Sequence, residues 1–241
     1  MSFTALISDL HLTSARGGII RVFFEFLQGR AREADGLYIL GDLVEYWAGD
    51  DDLSDPLNAR VAAGLKELAA TGVPVYLMHG NRDFLMLEGF ARASGAQLVA
   101  DPLVVDLYGT PTLLLHGDTL CTGDTRYQAF RKRVRNRWWQ RVFLLQPLWL
   151  RRAEIERARA TSERAKENKP ADIMDVTPSA VEGAFRDSGC RRMVHGHTHR
   201  PAHHTHLVDG HPCERWVLSD WYQRGQYLHI GPEGCVSVAL S

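Results

Sequence analysis

The chain has 241 residues and a mass of 27.1 kDa, with 28 Lys+Arg against 29 Asp+Glu and a formal net charge of -1. With 45% hydrophobic and 24% charged residues, it has the composition of a soluble globular protein and not of a disordered chain, a collagen-like fibre or a multispan membrane protein. That length suits one domain, or one domain with a sizeable insertion, and the near-zero charge argues at first sight against a polyanion as partner.

In chain order, short apolar runs at 3–8, 36–40, 73–78, 112–115 and 192–194 predict buried strands. Between them, helices are predicted at 20–34, where Val22, Phe23, Phe26, Leu27 and Ala31 recur at helical spacing, and at 59–70 and 84–94. The tail, 203–241, reads as further β structure. Strands alternating with helices argue for an α/β fold. The longest apolar stretch, 142–150, is broken by Gln146 and Pro147 and is far shorter than the ~20 residues of a spanning helix. The N-terminus has no basic region ahead of its first strand, so no signal peptide is expected. The cysteines, Cys121, Cys190, Cys213 and Cys235, form no C-x-x-C pair and fit a reducing cytosol better than a disulfide framework or a thiolate zinc site.

Chemistry collects at the strand ends. The predicted strands are followed in turn by Asp9-Leu10-His11, Gly41-Asp42, Gly80-Asn81-Arg82-Asp83, His116-Gly117-Asp118 and Gly196-His197-Thr198-His199. Each motif alone is weak, because Asp, Asn and His are common in turns and caps. Five in succession, each at the carboxyl end of a buried strand, mark the place where open α/β sheets bind ligands. The donors are carboxylate, amide and imidazole with no thiolate, a set suited to Mn²⁺, Fe²⁺ or Zn²⁺. Seven donors exceed the needs of one small cation and suit two, the arrangement that clamps both oxygens of a phosphoryl transfer.

This constellation resembles the calcineurin-like metallophosphoesterase superfamily. The resemblance implies an α/β (α+β) fold, an αββα sandwich of two sheets flanked by helices, with an inserted helical lid. It also implies one cation on Asp9, His11, Asp42 and His199 and a second on Asp42, Asn81, His116 and His197, with Asp42 bridging. His195 would stand behind the ligands or face phosphate. Many relatives read G-N-H-[DE] where this chain has Gly80-Asn81-Arg82-Asp83, and an arginine there offers a fork for phosphate oxygens.

That departure, with His116-Gly117-Asp118-Thr119-Leu120-Cys121-Thr122 and His195-Gly196-His197-Thr198-His199-Arg200-Pro201, resembles the UDP-2,3-diacylglucosamine hydrolase family of lipid A assembly in Gram-negative bacteria. Leu37-Tyr38-Ile39-Leu40-Gly41-Asp42-Leu43 fits as well, and the likeness runs over about 3–201. It implies Mn²⁺-dependent hydrolysis of UDP-2,3-diacylglucosamine by two-metal-activated attack of water on the α phosphorus. The products would be UMP and 2,3-diacylglucosamine 1-phosphate. The catalytic set would be Asp42, Asn81, Arg82 and His197. Asp124, Ser162, Lys166 and Lys169 match substrate-contacting positions, alongside Asn81, Arg82 and His197. The expected location is the cytoplasmic side of the inner membrane, held peripherally. The alternative is another metal-dependent phosphodiesterase, of cyclic nucleotides or nucleic acid, on the same scaffold. A non-enzymatic scaffold ranks lower, because all seven ligand positions are filled.

The insertion supports a lipid substrate on its own residues. Within 126–152 stand Arg126, Arg131, Lys132, Arg133, Arg135, Arg137, Arg141, Arg151 and Arg152, with no Asp or Glu. Tyr127, Phe130, Val134, Trp138, Val142, Leu145 and Trp149 follow spacings of three or four, one helical face that Pro147 should break or end. A core-packing helix with a solvated basic face explains this pattern as readily as a lid for acyl chains lying on an anionic membrane surface. A diacylated UDP-sugar needs the second. The expected division is a core of 1–122 and 170–241 with a lid of 123–169. Nucleic acid is the rival partner for a basic aromatic segment. The confinement of the charge and the acidic run Asp50-Asp51-Asp52 with Asp55 argue against it, and no obligate protein partner is expected. His203, His204, His206 and His211 read as a polar hairpin in preference to an extra metal site. The charge of -1 is therefore a sum of two unlike parts, a basic insertion and an acidic body.

Overall fold

The computed structural model describes the backbone of residues 2–167 and 175–240 and the side chains of 2–162 and 175–240. The chain runs β1 (Thr4–Ile7), α1 (Gly17–Gln28), β2 (Gly36–Ile39), α2 (Pro56–Ala70), β3 (Val75–Met78), α3 (Glu88–Ser94), β4 (Gln97–Val99), β5 (Leu103–Leu107) and β6 (Thr110–Leu115). Then follow α4 (Thr125–Val134), α5 (Arg137–Leu144), α6 (Leu148–Glu167), α7 (Pro178–Ser188), β7 (Arg192–His195), β8 (Ala202–Val208), β9 (His211–Val217), β10 (Gln226–Gly231) and β11 (Gly234–Ala239).

The strands form two sheets, ordered β11-β10-β1-β2-β3-β4 and β5-β6-β7-β9-β8. In the first, β1, β2, β3 and β4 are parallel; in the second, β6, β7 and β9 are parallel. Apolar side chains leave both faces of these strands, which is why they read as continuous apolar runs. In β1, Ala5 and Ile7 pack with Phe23, Phe26, Leu65 and Phe90 of the flanking helices, while Leu6 points the other way. Leu6, Leu40, Met78, Leu114, Val194 and Leu228 fill the space between the sheets. Leu113, Leu115 and Met193 leave the far face of the second sheet and meet Val181 and Phe185 of α7. Helix, sheet, sheet and helix therefore stack as the αββα sandwich, and the parallel strands of both sheets end at one side.

Local chemistry sets the helix ends. The Asp55 carboxylate accepts from Leu57 N (2.9 Å) and Asn58 N (3.3 Å), and Pro56 opens α2. The helix expected at 20–34 ends earlier, at Gln28; Gly29 separates it from a 3-10 turn, Arg30–Glu33. The helix expected at 84–94 begins only at Glu88. Asp50, 37 residues away, accepts from Leu87 N (2.9 Å), and its other oxygen from Gly89 N (2.6 Å), taking the capping place that Leu87 cannot fill.

The single helical face expected at 126–152 is broken into three helices. Asn136 accepts from the amides of Trp138 (2.9 Å) and Trp139 (3.2 Å) and starts α5, and Pro147 lies in the expected break, between the end of α5 and the start of α6. The face splits accordingly. Val134 and, from outside the expected stripe, Phe143 are buried, and Tyr127 turns toward the metal-ligand cleft. Trp138, Val142, Leu145 and Trp149 are 72%, 64%, 84% and 71% exposed.

Candidate metal centre

Beyond the strand ends the loops stay in register. Asp9 N donates to Gly41 O (3.1 Å) and His11 N to Asp42 O (2.9 Å), so the loop after β1 lies along the loop after β2. In the second sheet Gly196 N donates to His116 O (2.9 Å). His197 N then crosses to the other sheet and donates to Asp9 Oδ2 (2.8 Å), which also accepts from Ser8 Oγ (2.6 Å). Asp9, His11, Asp42, His197 and His199 all have positive φ, between 46° and 68°. Such backbone costs a residue with a β-carbon of order 1–3 kcal/mol and collects at functional sites, and Asp and His tolerate it better than most. Glycine allows the closest approaches. A β-carbon on Gly80 would lie 2.1 Å from Asp42 Oδ1, and one on Gly196 2.2 Å from Asp9 Oδ2.

The seven expected ligands converge in one cleft. His11 Nε2 lies 3.4 Å from His199 Nε2, 3.9 Å from Asp9 Oδ1 and 3.7 Å from Asp42 Oδ2. The other Asp42 oxygen, Oδ1, is 3.9 Å from His116 Nε2, which in turn is 3.1 Å from Asn81 Oδ1. The rings of His116 and His197 are 5.0 Å apart. Asp42 therefore presents one oxygen to each half of the cleft, the geometry of a bridging carboxylate. Asp9 belongs to both close groupings of donors: Asp9 with His11 and His199, and Asp9 with Asp42 and His116.

These donors fit cations better than they fit one another. Two imidazole nitrogens face each other beside Asp9 Oδ1, which is buried and accepts no well-aligned hydrogen bond. His116 Nδ1 donates to Leu40 O (2.8 Å), which turns the ring's Nε2 into the cleft. Burial, with Asp83 and Asp9 adding to it, pushes the Asp42 carboxyl up to about 7. Burial would lower His116, but Asp42, Asp118 and Asp9 outweigh it and raise the ring to about 9. Burial also drives His11 down to about 2 and His197 down to about 3. His11 and His197 are thus neutral imidazoles, the form that ligates divalent ions, while a cation bound between His116 and Asp42 would displace the protons that burial and the neighbouring carboxylates favour on them.

A family model described as calcineurin-like phosphoesterase matches residues 4–201. The chain belongs to the calcineurin-like phosphoesterase family. Among curated proteins it is 52% identical, over 92% of its length and 90% of the other chain, to a UDP-2,3-diacylglucosamine hydrolase of Aromatoleum aromaticum. Proteins of the same name from Cellvibrio japonicus and Klebsiella pneumoniae are 50% and 47% identical over 96% and 95% of both chains.

Within this calcineurin-like phosphoesterase, the other residues singled out from sequence take distinct places. Arg82 N donates to Asp42 Oδ1 (2.8 Å), while its side-chain Nε is buried with no hydrogen-bond acceptor among the described residues. Asp83 is spent on the loops, accepting from Leu43 N (2.8 Å) and Gly80 N (2.7 Å). Asp124 caps α4 through Tyr127 N (3.1 Å). Ser162 is exposed on α6, and Lys166 and Lys169 lie outside the described side chains. His195 does not face phosphate. Its Nδ1 donates to Gly196 O (2.9 Å) and its Nε2 accepts from Arg215 (3.0 Å), so both nitrogens are taken and burial holds the ring down at about 4. His203, His204, His206 and His211 lie on the β8–β9 hairpin, where His203 stacks on Trp216 and His206 accepts from Arg215 (3.2 Å).

The acidic run 50–52 does not present a free negative track, contrary to expectation. Asp50 holds α3, Asp51 pairs with Arg151, and Asp52 with Arg152. Both arginines are therefore neutralised from the body as well, and the exposed positive charge of the insertion is smaller than its composition suggests. Sequence reading also missed the groups around the ligands. Tyr222 stacks on His11 (ring centroids 5.3 Å apart, planes 11° apart), and the Arg16 guanidinium lies over the Tyr222 ring, 4.1 Å from its centroid. Asp118 accepts from Tyr127 Oη and Arg131 Nε, both at 2.6 Å. The one available signal was the position of Asp118 directly after His116-Gly117.

Proposed function

We propose that this phosphoesterase hydrolyses the pyrophosphate bond of UDP-2,3-diacylglucosamine, giving UMP and 2,3-diacylglucosamine 1-phosphate, with two divalent cations, Mn²⁺ foremost. The observation that carries the reading is the junction of two surfaces. A cleft of seven oxygen and nitrogen donors lies against helices whose outer side exposes Trp138, Val142, Leu145 and Trp149 among arginines. The names of relatives about half identical over nearly the whole chain support the same substrate. A cyclic nucleotide or a nucleic acid would have no use for the apolar stripe.

Asp9, His11, Asp42 and His199 would hold one cation, and Asp42, Asn81, His116 and His197 the other. Bound there, the cations supply an acidified water and neutralise phosphate charge. The chain supplies the rest. The Asp42 carboxylate keeps its two oxygens on opposite halves of the cleft because Arg82 N fixes one of them. The unpartnered Arg82 Nε offers a hydrogen bond to a phosphate oxygen as charge develops there. Asn81 and His197 would orient the same phosphate. The leaving group is a sugar phosphate, stable as an anion, so a strong general acid is not required.

Helices α4 to α6, within 123–169, act as the lid. Their exposed tryptophans take acyl chains or the membrane boundary, and Arg133, Arg137 and Arg141 face anionic headgroups, each contributing about 1 kcal/mol near such a surface. No described helix is long and apolar enough to cross a membrane. The exposed tryptophans among arginines support a peripheral hold on the cytoplasmic face of the inner membrane. The test is turnover of the acylated UDP-sugar. Asp42→Ala is expected to abolish it, and chelation to remove it until Mn²⁺ is returned. Full activity in exhaustively metal-free protein would overturn the reading.

A further inference from the structure

Two buried carboxylates that are not among the expected ligands stand directly behind the cleft, and each grips an arginine of the lid. Glu45 lies three residues past Asp42. One of its oxygens accepts from Arg159 of α6; the other accepts from Arg16 (3.4 Å) and lies 3.8 Å from Nδ1 of His11. Asp118 lies two residues past His116. Its Oδ2 accepts from Arg131 and Tyr127 of α4, and the Tyr127 ring stacks on His197 with centroids 5.9 Å apart. One path thus runs from α6 through Arg159 and Glu45 to His11. The other runs from Arg131 of α4 through Asp118 to Tyr127, whose ring stacks on His197.

A ligating histidine is held in place by what its second ring nitrogen meets, and carboxylates are the usual partner. His11 Nδ1 is buried and makes no hydrogen bond among the described residues, and Glu45 is the acid within reach of it. Asp118 Oδ1 is likewise buried without a donor among the described residues.

We propose that Glu45 and Asp118 are paired latches that couple closure of the lid to cation binding. Glu45 positions His11 directly and Asp118 positions His197 through the Tyr127 ring, and each holds a lid arginine at once. Ordering the ligands therefore orders α4 and α6, and ordering the helices strengthens cation binding, since coupling between two events is reciprocal. The pairs Arg151–Asp51 and Arg152–Asp52 also anchor α6 but touch none of the seven expected ligands, so they provide an internal control. The latch rests on the cation reading above.

The experiment uses the full chain with Mn²⁺ as the probe and no substrate. Affinity is measured by titration calorimetry, and amide exchange is followed in α4 and α6 with and without Mn²⁺. Glu45→Gln and Asp118→Asn are expected to bind Mn²⁺ about 10- to 100-fold more weakly. Mn²⁺ is expected to slow exchange in both helices of the wild type, but not in α6 of Glu45→Gln nor in α4 of Asp118→Asn. Asp51→Asn is expected to speed exchange in α6 generally, yet Mn²⁺ should still slow exchange there, because both latches are intact. Arg159→Gln and Arg131→Gln cut the same pairs from the lid side without altering the body, and should weaken Mn²⁺ binding about fivefold or more. Wild-type affinity in either arginine variant overturns the corresponding latch, and lid exchange indifferent to Mn²⁺ overturns both. A wild type that binds no Mn²⁺ sinks the cation reading instead.

Discussion

Gly80→Ala isolates the geometry of the bridging carboxylate. The new β-carbon would stand 2.1 Å from Asp42 Oδ1 and 2.4 Å from Asp42 N. Contact between a carbon and an oxygen requires more than 3 Å, so Asp42 or the loop after β3 must yield by about 1 Å. Neither is free to do so. Asp42 is held by Arg82 N, and Gly80 N is held by Asp83. Overpacking of this kind costs about 1–3 kcal/mol, which for a chain of this size lowers Tm by roughly 2–12 °C. A displacement of about 1 Å at a group that orients reacting atoms costs on the order of 100-fold in rate. The expected result is a folded protein whose kcat falls about 100-fold or more. Gly183→Ala is the matched control. Gly183 lies within α7 with nothing within 4 Å of the added carbon, so stability should rise by about 0.4–1 kcal/mol and activity should not change. The assays are steady-state turnover and thermal unfolding on the same preparations. Wild-type turnover in Gly80→Ala would refute the placement of Asp42 between two cations.

Further outcomes follow from other parts of the molecule. Asp55→Ala removes the cap of α2 and should cost about 0.5–2 kcal/mol in chemical denaturation while leaving turnover intact; an unchanged midpoint would contradict the capping role. Trp138→Ser combined with Trp149→Ser removes about 2 kcal/mol of apolar transfer per side chain and should weaken sedimentation with anionic vesicles at least ~10-fold. Equal sedimentation would move membrane contact to another face. Burial, with Asp118 adding to it, pushes the Cys121 thiol up to about 12 from an ordinary 9.0. At pH 8 its alkylation should run roughly 30- to 100-fold slower than that of a free cysteine, even after the greater nucleophilicity of a basic thiolate is allowed for. Between those two values the unfolded thiol ionises and the folded one does not, so this group makes stability fall as pH rises above about 9. Alkylation at the rate of a free thiol would contradict its burial.

What the sequence revealed depended on which residues are buried from both sides. The strands β1, β2, β3, β6 and β7 lie inside two sheets and carry nearly unbroken apolar runs, so the donors following them could be aligned as a set before any coordinates. Strands β4 and β5 are edge strands with half-exposed residues, and their patterns gave no comparable signal. Helix α7 had readable ends, Thr177-Pro178 before it and Gly189 after it, but no motif drew notice to them. The lid face misled because helical spacing continued by chance across Asn136 and Pro147, where the chain turns. Glu45, Tyr222 and Arg16 reach the ligands only through tertiary folding, and their spacing along the chain carries no trace of it; Asp118 alone was signalled, by its place after His116-Gly117. Resolving the net charge along the chain pointed to an anionic lipid, and the structure sharpens that by showing which arginines are bound to the body.

The most direct test of the central claim is hydrolysis of UDP-2,3-diacylglucosamine in ¹⁸O-water with Mn²⁺, followed by mass analysis of both products. Attack at the uridine-side phosphorus predicts one ¹⁸O in UMP and none in 2,3-diacylglucosamine 1-phosphate. Label in the sugar phosphate, or no turnover of this substrate alongside turnover of a simple phosphodiester, would contradict the account.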